Sequence, residues 1–189
     1  MENNITQEQF LEHIDTKAAL ILSAVDPNVD GSYTFANDLK YGKAGEIFVK
    51  NFFVHMGFTF VKFNNDNKYD FLGSSKKGEN VKVEVKTDSY VGNPERDRGN
   101  WAIELESRGK ESGINVTTAD WWALYAPKKE EIWLIKTENL VKLIKDNNFR
   151  IAEFGGDKGS NTKNHLLPRA EVQQHFTKYD VSSNPPVKF

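Results

Sequence analysis

The chain has 189 residues, 38% of them hydrophobic, which suits one globular domain with a full core. With 25 basic and 27 acidic residues its formal net charge is −2, which excludes the broad basic coat of a non-specific nucleic-acid binder. It has no cysteine, so disulfides, thiolate metal sites and cysteine nucleophiles are excluded.

In chain order, residues 6–25 read as a first helix. Thr6 and Gln9 form a capping-box pattern, and Phe10, Leu11, Ile14, Ala18, Ile21, Leu22 and Val25 recur at helical spacing. A second helix is expected from about Leu39 to Met56, with Phe48, Val49, Phe52, Phe53 and Met56 on one arc, Glu46 bordering it and Gly57 as its stop. Strands follow: FTFVKF, YDFLGS and VKVEVKT, the last two joined by the turn SKKGEN. After the polar loop VGNPERDRGN comes the strand WAIELES, then the loop GKESGIN. Thr117 and Asp120 resemble the cap of a short helical turn. WWALYAP and EIWLIKT are apolar and aromatic, as strands near a sheet centre are. TENLVKLIKDN is a helix capped by Thr137, with Leu140, Leu143 and Ile144 inward. The expected fold is therefore a mixed α/β layer architecture over residues 1–150. Residues 151–189 read as an appended tail in which only LLPRAEVQQHF is ordered, as a short helix after Pro168, and SSNPPVKF is a loose end.

The strand VKVEVKT puts Val81, Val83 and Val85 on one face and Lys82, Glu84 and Lys86 on the other. The short SKKGEN turn makes its neighbour the strand carrying Asp70, so Asp70 stands beside Glu84. Glu46, on the helix leading into this sheet, completes a set of three carboxylates and an ammonium. Without a cation such carboxylates repel one another and shift toward protonation, so the cluster argues for a metal. The four histidines, at positions 13, 55, 165 and 175, include no close pair, so any metal is held by oxygen: Mg²⁺, Mn²⁺ or Ca²⁺. Phosphodiester hydrolysis uses this chemistry, since hard cations polarise a phosphate and activate water, and a lysine offsets the developing charge.

The pattern YD…VEVK, with a glutamate on the preceding helix, resembles the PD-(D/E)XK nuclease superfamily of restriction endonucleases, Holliday-junction resolvases and recombination exonucleases. The resemblance covers roughly residues 40 to 145. The run GNWAIELESRGKESGINVTTADWWALYAP is similar to small phage and bacterial proteins of that superfamily. It implies a restriction endonuclease-like core: a helix, three antiparallel strands, a helix and a further strand. It also implies that Asp70 and Glu84 bind Mg²⁺ or Mn²⁺, that Lys86 is the catalytic lysine, and that Glu46 contacts the metal directly or through water. The implied activity is an endonuclease that leaves a 5′-phosphate end. Tyr69 departs from the pattern, standing where the motif has proline.

Several residues carry a plainer alternative. Glu84 and Lys86 also fit an exposed strand face with weak ion pairs. Asp70 also fits a strand entry, and Glu46 a solvated residue near a helix N-terminus. Asp88 fits a turn. Glu104 lies on a strand expected to pair with residues 81–87. Arg108, Lys110 and Ser112 in one loop, and Arg96 and Arg98 in another, are candidate phosphate contacts. Trp101, Trp121, Trp122, Tyr125 and Trp133 suit the core better than base stacking. The expected partners are DNA, duplex or branched, and a second copy of the chain in a homodimer. With no apolar run of membrane-spanning length and no apolar signal core in MENNITQEQF, a cytoplasmic location is expected. A catalytically silent binding or host-interaction protein is the alternative.

Overall fold

A computed structural model describes residues 35–66, 68–155, 161–182 and 187–188. The helix expected at residues 6–25 lies outside them. Helix α1 spans Phe35–His55. It ends where Gly57, with a φ of 92°, donates its N–H to the Val54 carbonyl, the left-handed stop that glycine adopts without a Cβ penalty. Strands β1 (Thr59–Phe63), β2 (Phe71–Ser74) and β3 (Asn80–Thr87) then form an antiparallel meander. β4 (Asn100–Ser107) and β5 (Lys110–Glu111) form a hairpin, followed by β6 (Trp121–Ala126) and β7 (Glu131–Lys136). Helix α2 covers Thr137–Asp146. β8 (Ile151–Gly155), β9 (Thr162–Pro168), the one-turn α3 (Arg169–Val172), β10 (Thr177–Asp180) and β11 (Val187–Lys188) complete the described elements.

The fold is α/β, with two sheets. The larger runs β1-β2-β3-β6-β7-β10-β11 and is mixed: β3 and β6 are parallel and every other neighbouring pair is antiparallel. The smaller runs β5-β4-β9-β8 and is antiparallel throughout. A parallel junction requires a long crossover. Here the crossover from β3 to β6 is built from β4, β5 and a 3₁₀ turn at Gly113–Asn115. The helix that the superfamily pattern has at this point is not among these elements.

Each face of the larger sheet has its own core. On one side Val49, Phe52 and Phe53 of α1 pack on Phe71, Val83, Ala123, Tyr125, Ile132 and Leu134. On the other, Trp122, Leu124, Trp133 and Ile135 meet Trp101 and Ile103 of β4, Leu167 of β9, and Leu140 and Leu143 of α2. The aromatic residues are thus packing groups: Trp101, Trp122, Trp133 and Tyr125 are all buried, and Trp121 is half-buried. Edge strand β1 is exposed along its whole length, and Met56, expected on the inner arc of α1, is exposed beside it in sequence.

Four local expectations are corrected. The stretch after residue 150 holds more than one short helix. β8 and β9 extend the second sheet, β10 pairs with β7, and Val187–Lys188 pairs with β10. These pairings lie far apart in sequence, so local periodicity does not reveal them. β4 pairs with β9 and β5, not with residues 81–87, because β6 takes the place beside β3. Thr117 and Asp120 cap no helix. The Thr117 hydroxyl bonds the Lys68 carbonyl and the Asp120 carboxylate accepts from the Lys82 N–H, pinning the chain as it enters β6. Thr137 occupies the first position of α2 rather than its cap, and its hydroxyl oxygen is buried without a partner among the described residues.

Candidate active site

The site is assembled where α1 crosses the end of β3. Phe71 pairs with Val83, so Asp70, one residue earlier, comes alongside Glu84 as the hairpin reading requires. The Asp70 N–H donates to the Val83 carbonyl at 2.9 Å. One Asp70 carboxylate oxygen accepts from the Val85 N–H at 2.6 Å. Asp70 is therefore held by the backbone of the strand it flanks. Glu84 and Lys86 lie two residues apart on β3, opposite Trp122 and Leu124 of β6. Their face is the one that lies under the second sheet, so both are half-buried rather than open to bulk water.

Glu46 reaches this spot because α1 lies unusually close to β3. A Cβ on Gly45 would come within 1.8 Å of the Thr87 hydroxyl oxygen. Only glycine permits this approach, at a helix-propensity cost of about 1 kcal/mol relative to alanine. Glu46 itself is buried, and its carboxylate accepts an ion pair from the Lys43 ammonium at 2.7 Å.

The electrostatics follow from this crowding. Burial first, and then the Glu46 charge, push the Asp70 carboxyl above its ordinary value, against the Val85 N–H and the ammonium groups of Lys43 and Lys86. Glu84 is pushed up further, by burial first and then by Asp70, with Glu46 and Glu104 adding and Lys86 opposing. The pair titrates together, protons leaving in steps that belong to both groups. Among the described residues, the Glu84 side chain has neither a hydrogen bond nor an ion pair.

Sequence reasoning overlooked three contributors. Gly45 is a glycine inside a helix, and that oddity was its only signal. Lys43 stands one turn before Glu46, the spacing of a helical ion pair. Gly113, with a φ of 50°, lets its loop close on β4, since a Cβ there would meet the Glu104 carbonyl oxygen at 2.3 Å. That loop brings the Ser112 hydroxyl onto the Glu104 carboxylate. Ser112 is thus bonded inside the protein, and Glu104 adds to the negative field at Glu84.

The remaining candidates stand elsewhere. Arg108 and Lys110 are exposed at the β4–β5 hairpin, where Arg108 and Gly109 both have positive φ. Arg96 and Arg98 are exposed in the loop before β4, with Arg96 against the Tyr90 ring. Asp88 has the turn role: its carboxylate accepts from the N–H groups of Tyr90 and Val91.

Among the described residues, no three His, Asp or Glu side chains converge into a set that closes on a metal ion. Mg²⁺ does not need one: it is commonly held by one or two carboxylates, with water and substrate phosphate filling the other positions. The Asp70–Glu84 pair fits that requirement, being all oxygen, mutually repelling and short of counter-charge. No protein-family model, no curated protein and no solved structure matches this chain. No helix among the described residues is long and apolar enough to cross a membrane.

Proposed function

We propose that the protein is a metal-dependent nuclease of the PD-(D/E)XK kind, hydrolysing DNA phosphodiester bonds as a small phage-type endonuclease. The observation that carries this reading is the Asp70–Glu84 pair. Two carboxylates are brought together under cover and driven above their usual range, Asp70 by burial and the Glu46 charge, Glu84 by burial and the Asp70 charge, with Lys86 alongside. A purely structural pair would have donors arranged around it, because uncompensated buried charge is costly.

In this reading Asp70 and Glu84 would hold Mg²⁺ or Mn²⁺, with Glu46 contacting it from α1 directly or through water. The cation, when bound, supplies polarisation of the phosphate and a lowered pKa for a bound water. Lys86 steadies the attacking water and offsets charge on the pentavalent phosphorus. Asp70 is kept in place by the Val85 N–H. Water adds to phosphorus in line as the bond to the 3′ oxygen breaks, leaving a 5′-phosphate end. Arg96, Arg98, Arg108 and Lys110 are the exposed cations that would grip the backbone. The substrate is DNA, duplex or branched, and a two-fold homodimer suits paired cuts. The four-strand run β1-β2-β3-β6, with α1 on one face, supports a restriction endonuclease-like core. The strand-built crossover to β6 is its departure from that pattern.

One observation favours the second reading, a catalytically silent nucleic-acid-binding or host-interaction protein: the absence, among the described residues, of a three-ligand set. A panel of labelled plasmid, linear duplex, single-strand, flap and four-way-junction DNA, with Mg²⁺ or Mn²⁺, separates the two. Cutting that is lost with EDTA and with Glu84→Ala is the expected result. No cutting of any substrate, with both proteins folded and indifferent to metal in melting, overturns the nuclease reading.

A further inference from the structure

We infer that Lys43 is a built-in counter-cation of the acidic site, one that competes with the divalent metal for Glu46. The inference rests on the metal-site reading above and adds to it a residue that sets metal affinity.

Three observations lead to it. Lys43 and Glu46 are three residues apart on α1, so their side chains emerge on neighbouring positions of one helix face. Their ion pair is asymmetric. The Glu46 side chain is only 11% exposed, while that of Lys43 is 53% exposed. The carboxylate is buried and its charge acts on Asp70 and Glu84, while the ammonium is half open to solvent. The Lys43 charge is also felt at Asp70, where it acts against the repulsion from Glu46.

The second cation of the site does not duplicate this role. Lys86 is on β3, on the same strand as Glu84, and no ion pair joins it to Glu46 among the described residues. An ammonium on one Glu46 oxygen occupies that oxygen and keeps it from a metal. The side chain that blocks the oxygen is long, half-exposed and anchored at one point. It can leave toward solvent without disturbing the core.

Metal entry at Glu46 therefore displaces Lys43, and the metal-free site is held together partly by an internal cation. The consequence is an affinity lower than the carboxylates alone would give, and a site that closes only when metal is abundant.

The test is Mn²⁺ binding to the full chain without DNA, read by electron paramagnetic resonance of free Mn²⁺. Lys43→Gln removes the competing charge and should bind Mn²⁺ about fivefold more tightly than wild type, the factor matching the upper end of a half-exposed ion pair. Lys43→Arg keeps the charge and should stay near wild type. Glu46→Gln should weaken binding, and in that background Lys43→Gln should add nothing. Wild-type or weaker affinity in Lys43→Gln, with binding still lost in Glu84→Gln, overturns the inference and leaves the metal site standing. A gain that persists in the Glu46→Gln background also overturns it, since the charge would then act without the pair. No Mn²⁺ binding by any variant overturns the metal site and this inference together.

Discussion

Two carboxylate centres in this molecule meet opposite fates. Asp97, in the loop before β4, is matched on every side. Arg169 donates two hydrogen bonds to it at 2.6 and 2.7 Å, and the N–H groups of Gly92 and Gly99 donate two more. Burial works against its charge, but the Arg169 hydrogen bonds and the two backbone donors prevail and hold the carboxyl down at about 2. Asp70 and Glu84 have one backbone donor between them and are pushed the other way. Asp97 comes with its donors built in, whereas Asp70 and Glu84 are left short of them, the contrast that the proposed metal role would explain.

The largest expected effect that bears on this contrast is catalytic. Glu84→Ala and Lys86→Ala should each lower the metal-dependent cleavage rate by about a hundredfold or more while leaving circular dichroism and melting behaviour those of a folded protein. Unchanged cleavage in either variant would remove that residue from the site. The matched centre should behave in reverse. Arg169→Ala should cost about 2 kcal/mol of stability at neutral pH, or roughly 4–8 °C in melting temperature at about 2–4 °C per kcal/mol, with cleavage unaffected. Asp97 has its folded pKa below its unfolded value, so this contribution is full above pH about 4 and is lost as pH falls toward about 2. Urea titrations of wild type and Arg169→Ala should converge over that range. A gap that persists at pH 2 would mean that Arg169 acts instead through its hydrogen bond to the Asn100 carbonyl and its packing on Trp101, where its guanidinium lies 5.8 Å from the ring.

A smaller effect concerns how Glu46 is delivered. Gly45→Ala forces a Cβ into Thr87 and should cost about 1–3 kcal/mol, the usual penalty of overpacking. It should also weaken Mn²⁺ binding by moving α1 away from β3. A fully stable variant with wild-type metal affinity would show that the close approach is not needed.

Much of the site was legible in the sequence because its parts are close along the chain. The turn SKKGEN joins β2 to β3 in a fixed register, which put Asp70 beside Glu84, and strand alternation put Glu84 and Lys86 on one face. The apolar runs WWALYA and EIWLIK were readable as central strands from their continuity. The second sheet was not, because it is made by pairings such as Trp101 with Leu167 that no local period announces. β9 also carries polar Lys163, Asn164 and His165, which reads as loop. Glu104 entered the site's field through that sheet, and Lys43 through a helical spacing that looks like any surface pair.

In the proposed function Asp70 and Glu84 are an acidic pair awaiting a cation. Their folded pKa values lie above the unfolded ones, so this pair binds more protons in the folded protein, and its contribution to stability without metal falls as pH rises from about 4 through neutrality. The most direct measurement is the melting temperature of wild type and Glu84→Gln at pH 5 and pH 8, each with and without Mn²⁺. Wild type should melt lower at pH 8 than at pH 5, Glu84→Gln should relieve this loss, and Mn²⁺ should raise the pH 8 melting temperature of wild type alone. Equal pH dependence in the two proteins, with no response to Mn²⁺ in either, would contradict the cation-binding role.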